Sequence, residues 1–306
     1  MTNHRGSVLV EVLIGAAIAS GTCAVLFQFA VAAQAAVAAQ GDAADQQQRL
    51  RTVTEALRHD LMMAGAGPSR GAAYGPLIRV LPPVVPARIG VSGADPELTA
   101  RTDRISIIYV PETHAQAFLR SAMGTASSPL AIDGSPVCAT GTACGFAAGD
   151  RAIVYDASRE GGPYELLTIG AVDAARDLLI PAAPLNRAYL TGARVALVSV
   201  RVYHFDSPTR RLMVYDGDRS DVPLIDRILN MRVTYLADLG GPAPQPLNLA
   251  QLADGPVAGE APNRFDVDLL RVRRIQITLT LQDESAAAIR NLTTTIDVSP
   301  PNMGAR

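Results

Sequence analysis

Hydrophobic positions run almost unbroken over Gly6–Ala39, GSVLVEVLIGAAIASGTCAVLFQFAVAAQAAVAA. One charge, Glu11, stands near the start of the run, and between Val12 and Gln40 the only ionisable side chain is Cys23. At about 1.5 Å per residue the run predicts a helix longer than the roughly 30 Å of a hydrocarbon core. From Asp42 to Ala64 the pattern changes. Leu50, Val53, Leu57, Leu61 and Ala64 recur at spacings of three and four, while Arg49, Arg51, Glu55, Arg58 and Asp60 fall mostly elsewhere. That spacing predicts an amphipathic continuation of the same helix. Gly65-Ala66-Gly67-Pro68 supplies the glycine and the following proline that stop it.

After Pro68 the periodicity becomes that of strands. Leu77–Leu81, Arg104–Val110, Tyr164–Val172, Leu178–Ile180, Arg194–Phe205, Arg211–Tyr215, Leu224–Ala237, Leu269–Gln282 and Leu292–Val298 are strand candidates, and Gly149–Asp156 reads as a turn entering a strand. Arg194–Phe205 is apolar on both faces near its middle, and Asp206–Arg210 reads as the turn of a hairpin to Arg211–Tyr215. From Ile275 the alternation has a period of two. Pro82–Pro96 reads as a loop, and Ser121–Ala148, rich in Ser, Gly, Thr and Ala, reads as a surface insertion outside the core. The fold class expected is therefore α+β: a long N-terminal helix, one half apolar and one half amphipathic, packed on an antiparallel sheet. The expected division is 1–6 leader, 7–40 membrane helix, 41–67 amphipathic continuation and 68–306 β-rich head.

Composition sharpens this picture at three points. The chain has 306 residues and a net charge of −2. With no basic stripe interleaved with aromatics, nucleic acid is not an expected partner. Arg5 precedes the apolar run, whereas Asp42 and Asp45 follow it before Arg49. That asymmetry predicts a cytoplasmic N-terminus and a head on the other side of the membrane. Cys138 and Cys144 flank the short loop CATGTAC. Outside the cytoplasm the expected state is a disulfide, with two reduced thiols as the alternative.

The pattern Gly6-Ser7-Val8-Leu9-Val10-Glu11-Val12-Leu13-Ile14 resembles a prepilin-type signal. Leu57-Arg58-His59-Asp60-Leu61-Met62-Met63-Ala64-Gly65 resembles the helix ending of PilW-like minor pilins and of J-type minor pseudopilins. The order of the C-terminal strands is similar as well. The resemblance implies that a prepilin peptidase cuts between Gly6 and Ser7, that Ser7 is N-methylated, and that Glu11 sets assembly register. The family most often has phenylalanine where Ser7 stands. The partners implied are other minor and major pilins, the prepilin peptidase, an inner-membrane assembly platform and membrane lipid. The localisation implied is the inner membrane, single-pass, and then a pilus at the cell surface. The function implied is priming or capping of a type IV pilus, without enzymatic activity. A J-type pseudopilin of a type II secretion system and a membrane-anchored adhesin or binding domain are the alternatives. An ordinary signal peptide cut near Ala33-Gln34-Ala35 or Ala36-Val37-Ala38 competes for the N-terminus, as does a plain anchor.

No catalytic constellation stands out. His59, His114 and His204 have no nucleophile in a recognisable context, and Ser158 and Ser199 lack the nucleophile-elbow frame. No cofactor is expected. Asp216, Asp218 and Asp221 form a weak calcium candidate. Arg219 stands among them, the spacing is not that of an EF-hand loop, and a solvated hairpin turn is the preferred reading.

Overall fold

In the computed structural model the described residues are 5–68, 76–90, 99–133, 138–156, 162–217, 220–252, 257–258, 265–283 and 290–304. At 5–10, 38–40, 42–43, 46, 257–258, 283 and 290 the description is of the backbone only. The chain divides into two compact units, Met1–Arg51 with Asp283–Arg290, and Thr52–Gln282 with Asn291–Arg306.

Helix α1 spans Arg5–Met63 as a single element. The expected long N-terminal helix is present. Within the second unit, Val53, Leu57, Leu61 and Ala64 are buried, as the three–four spacing requires. Gly65 ends the helix at φ +76°, a conformation glycine adopts without Cβ strain.

The strands follow in an order that explains the head. β1 (Val84–Val85) and β2 (Arg104–Tyr109) open a first sheet. The chain then leaves it to build β3 (Gln116–Leu119), β4 (Leu130–Asp133), β5 (Arg151–Tyr155), β6 (Tyr164–Asp173), β7 (Leu178–Pro181) and β8 (Arg194–Leu197). These six close into a barrel in the order β3-β4-β7-β6-β5-β8. The chain returns as β9 (Ser199–Asp206), β10 (Arg211–Tyr215) and β11 (Asp221–Ile225), completing a five-stranded sheet in the order β1-β2-β9-β10-β11. β12 (Ile228–Ala237), β13 (Gln245–Pro246), β14 (Val257–Ala258), β15 (Phe265–Asp266), β16 (Val272–Asp283) and β17 (Arg290–Val298) follow. β13-β12-β16-β17 form a four-stranded sheet, and β14 pairs with β15.

The α+β expectation is therefore corrected. Among the described residues strand outweighs helix, and the protein is mostly β. The physical reason lies in the segment read as a surface insertion. Ser121–Ala148 is low in large apolar residues, yet Met123, Leu130, Ile132, Ala143, Cys144 and Phe146 all lie in the barrel core. A closed barrel of six short strands has a narrow interior that small and medium side chains fill. Ala117, Ala152 and Val195 complete the same core from β3, β5 and β8.

Other boundaries differ for local reasons. Leu77–Leu81 is not a strand but a single 3-10 turn over Leu77–Arg79, closed by the Val80 and Leu81 amides donating to the Leu77 carbonyl. Arg194–Phe205 is two strands, broken at Val198, where the barrel hands the chain to the first sheet. Leu224–Ala237 is also two strands, with Arg227 at φ +61° turning between β11 and β12. Leu269–Arg271 belongs to a 3-10 turn ahead of β16. The hairpin at Asp206–Arg210 forms as expected, with β9 and β10 in antiparallel register.

One polar contact ties the helix to the first sheet. Tyr203 of β9 donates its hydroxyl to Asp60 of α1 at 2.7 Å. Tyr203 is 3 % exposed, and its phenol is pushed up, first by burial and then by the Asp60 charge. Tyr203→Phe is expected to destabilise the chain by about 1.5–3 kcal/mol, because a half-buried carboxylate loses a donor. Chemical denaturation checks this; an unchanged midpoint would show that the contact contributes nothing.

Candidate functional site

Glu11–Val37 is a 27-residue stretch of α1 with mean hydropathy 1.9, long and apolar enough to cross a membrane. Ten large apolar side chains on it are 50–74 % exposed: Val12, Leu13, Ile14, Ile18, Val25, Leu26, Phe27, Phe29, Val31 and Val37. A contiguous apolar surface of this extent is not stable in water and marks a lipid or protein contact. Its two hydroxyls are turned inward. Ser20 donates to the Ala16 carbonyl at 2.8 Å and Thr22 to the Ala19 carbonyl at 2.9 Å. Such bonds satisfy a hydroxyl on its own helix, as a dry environment requires. A Cβ added at Gly15 or Gly21 would meet nothing, so both glycines leave shallow gaps in the helix surface.

Glu11 is exposed on the first part of this stretch and is its only charged residue. Gly6 and Ser7 lie on helical backbone, and their side chains are outside the description. Cys23 is a free, exposed cysteine among these apolar residues.

The remaining sequence candidates lie in the second unit. Cys138 and Cys144 are joined in a disulfide. The loop they close is held from outside by Asp177, which caps the turn after β6. Its carboxylate accepts the Gly141 amide at 2.8 and 2.9 Å and the Ala143 amide at 2.9 Å. These backbone bonds hold the Asp177 carboxyl below its ordinary range. Ala143 and Cys144 sit at φ +46° and +53°, a conformation that needs such fixing.

Of the acidic cluster, the described members Asp216 and Asp221 turn to different partners. Asp216 accepts the Ser220 amide at 3.1 Å. Asp221 is taken up by Arg88 at 2.9 Å and by His204 at 3.2 Å. Asp218 lies outside the described residues. Among the described residues, no group of three or more His, Cys, Asp and Glu side chains could hold a metal ion.

Sequence reasoning missed the Arg88–His204–Asp221 cluster. Its members lie in a proline-rich loop, in mid-strand and at a strand start, with no spacing that links them. Only the strand register brings them together. No protein-family model matches this chain, and no curated protein matches it.

Asp177 yields a pH-dependent expectation. Because its folded-state carboxyl is held low, its stabilisation is present above the ordinary value of 3.8 and is lost as pH falls through the folded-state value. Asp177→Asn is expected to melt at a lower temperature than the parent near neutral pH, with the gap closing in acid. Melting curves at several pH values check it; a gap independent of pH would assign the effect to shape instead of charge.

Proposed function

We propose that this chain is a minor pilin, a non-enzymatic subunit that primes or caps a type IV pilus through its N-terminal helix. The observation that supports the reading is the apolar helix itself, with its single carboxylate at Glu11 and its uncovered surface. Its partners are membrane lipid before assembly and the helices of other minor and major pilins afterwards. The prepilin peptidase cuts between Gly6 and Ser7, and Ser7 receives the N-methyl group. The amphipathic continuation to Ala64 anchors the head to this helix, and the head lies outside the cytoplasm, where the Cys138–Cys144 disulfide is stable.

The chemistry of Glu11 follows. A carboxylate in lipid costs about 2.5–3.5 kcal/mol on insertion scales. An amine at Ser7, four residues earlier on its own or a neighbouring helix, neutralises it. Pairing across two chains fixes their axial stagger, so the costly residue becomes the register mark of the assembly.

Glu11→Ala removes the carboxylate and the register together. The variant is expected to enter the membrane as well as the parent, while its recovery in sheared filaments falls at least about tenfold, the change that ~1.4 kcal/mol produces. Immunoblots of membrane and sheared fractions, read against the parent chain, check this. Equal recovery in the filaments would contradict the register role.

A further inference from the structure

The residues Pro86–Gly90 form a strap across one face of the first sheet, and the register of that sheet fixes what the strap meets. Arg104 lies opposite His204, Ser106 opposite Val202, Tyr215 opposite Val202 on the other side, and Asp221 opposite Tyr215. Residues directly opposite in a ladder share a face. Arg104, Ser106, His204, Tyr215 and Asp221 therefore stand on one side of four adjacent strands, and Tyr203, which holds the helix, stands on the other.

Backbone and side chain bind the strap differently. On the backbone side, Ser106 donates its hydroxyl to the Ala87 carbonyl at 2.5 Å and accepts the Ile89 amide at 3.2 Å. These bonds involve no titrating group. On the side-chain side, Arg88 lies over the Tyr215 ring at 4.3 Å, donates Nη2 to Asp221 at 2.9 Å and places Nη1 3.0 Å from His204 Nε2. Gly90 sits so close to Tyr215 that a Cβ there would fall 2.3 Å from the ring. The strap is thus pressed onto the sheet with no slack.

His204 Nε2 has two neighbours with opposite demands. Arg88 Nη1 is a donor and needs a lone pair on Nε2. The Asp221 carboxylate, 3.2 Å from the same nitrogen, is an acceptor and needs a proton there. One nitrogen serves only one of them at a time. The neutral ring with its proton on Nδ1 accepts from Arg88 and leaves Asp221 to Arg88 Nη2. The charged ring donates Nε2–H to Asp221 and turns a proton and a positive charge toward Arg88. The charged groups around His204 are Arg88 from the strap, Asp221 from β11 and Arg104 from β2, with Asp103 paired to Arg104 at 2.9 Å. Met213 is the neighbour from β10.

We propose that this cluster is a pH-sensitive clasp: neutral His204 accepts from Arg88 and tightens the strap on the sheet, and protonated His204 turns its Nε2–H to Asp221, gives up Arg88 and loosens the strap, which Ser106 still holds by its backbone. The surroundings set the direction. Burial, ahead of the opposing pull of Asp221, lowers the readiness of His204 to take a proton. The clasp is therefore closed above the ordinary histidine value of 6.5, and its stabilisation is lost as pH falls below that value. The proposal does not rest on the filament reading.

The test uses the full chain in detergent micelles between pH 8 and pH 5. NMR follows the His204 ring, and hydrogen exchange follows the amides of Arg88, Ile89 and Gly90 as protection factors. The expected result is a His204 midpoint below 6.5, with strap protection falling at least about tenfold over the same interval. His204→Gln, neutral at every pH, removes the step. Asp221→Asn, which takes away the negative charge facing the charged ring, moves the step to lower pH. Strap protection that stays flat while His204 titrates overturns the proposal. So does a step that persists in His204→Gln or stays in place in Asp221→Asn.

Discussion

The constraint on which the chain depends is the uncovered apolar surface of α1 between Glu11 and Val37. Ten large hydrophobic side chains there are exposed over half or more of their surface. At about 25 cal/mol per Å² of apolar surface, removing them from water is the largest free energy the chain has yet to gain. In the filament subunit proposed above, lipid supplies that gain first, and neighbouring helices supply it again with the added selectivity of one carboxylate that must find its countercharge.

The head has a different logic. Its first sheet is interrupted after Tyr109, a six-stranded barrel is inserted, and the sheet resumes at Ser199 beside the strand it left. Antiparallel register then sorts the side chains. One face of the sheet carries Tyr203 toward Asp60 of the helix, and the opposite face carries His204 toward the strap. The barrel is closed by its own ladder, which leaves it without an open edge. Its loop from Cys138 to Cys144 is fixed twice, by a covalent bond and by Asp177.

The long elements were legible because their signals are local. Arg5–Met63 has an unbroken apolar run, then a three–four stripe, then a glycine stop. The alternation from Ile275 to Leu281 placed β16, and the Asp206–Arg210 turn placed the hairpin. β3 and β4, which complete the barrel, were hidden because its interior accepts small residues: Ala117 and Ala143 carry no periodic signal strong enough to separate core from loop. The breaks at Val198 and Arg227 were hidden because each depends on which sheet receives the next segment. The disulfide was readable from its spacing. Asp177 was not, since its carboxylate acts on a loop more than thirty residues earlier in the chain. The Arg88–His204–Asp221 cluster depends on register alone, and no sequence window contains it.

The filament reading stands or falls at the N-terminus. Intact-mass and peptide mass spectrometry of the chain recovered from sheared surface filaments reads that end directly. The account predicts a mature chain that begins at Ser7 and carries one methyl group on its amine. A chain that begins near Ala36, or one that retains Met1–Gly6 in the filament fraction, would contradict it.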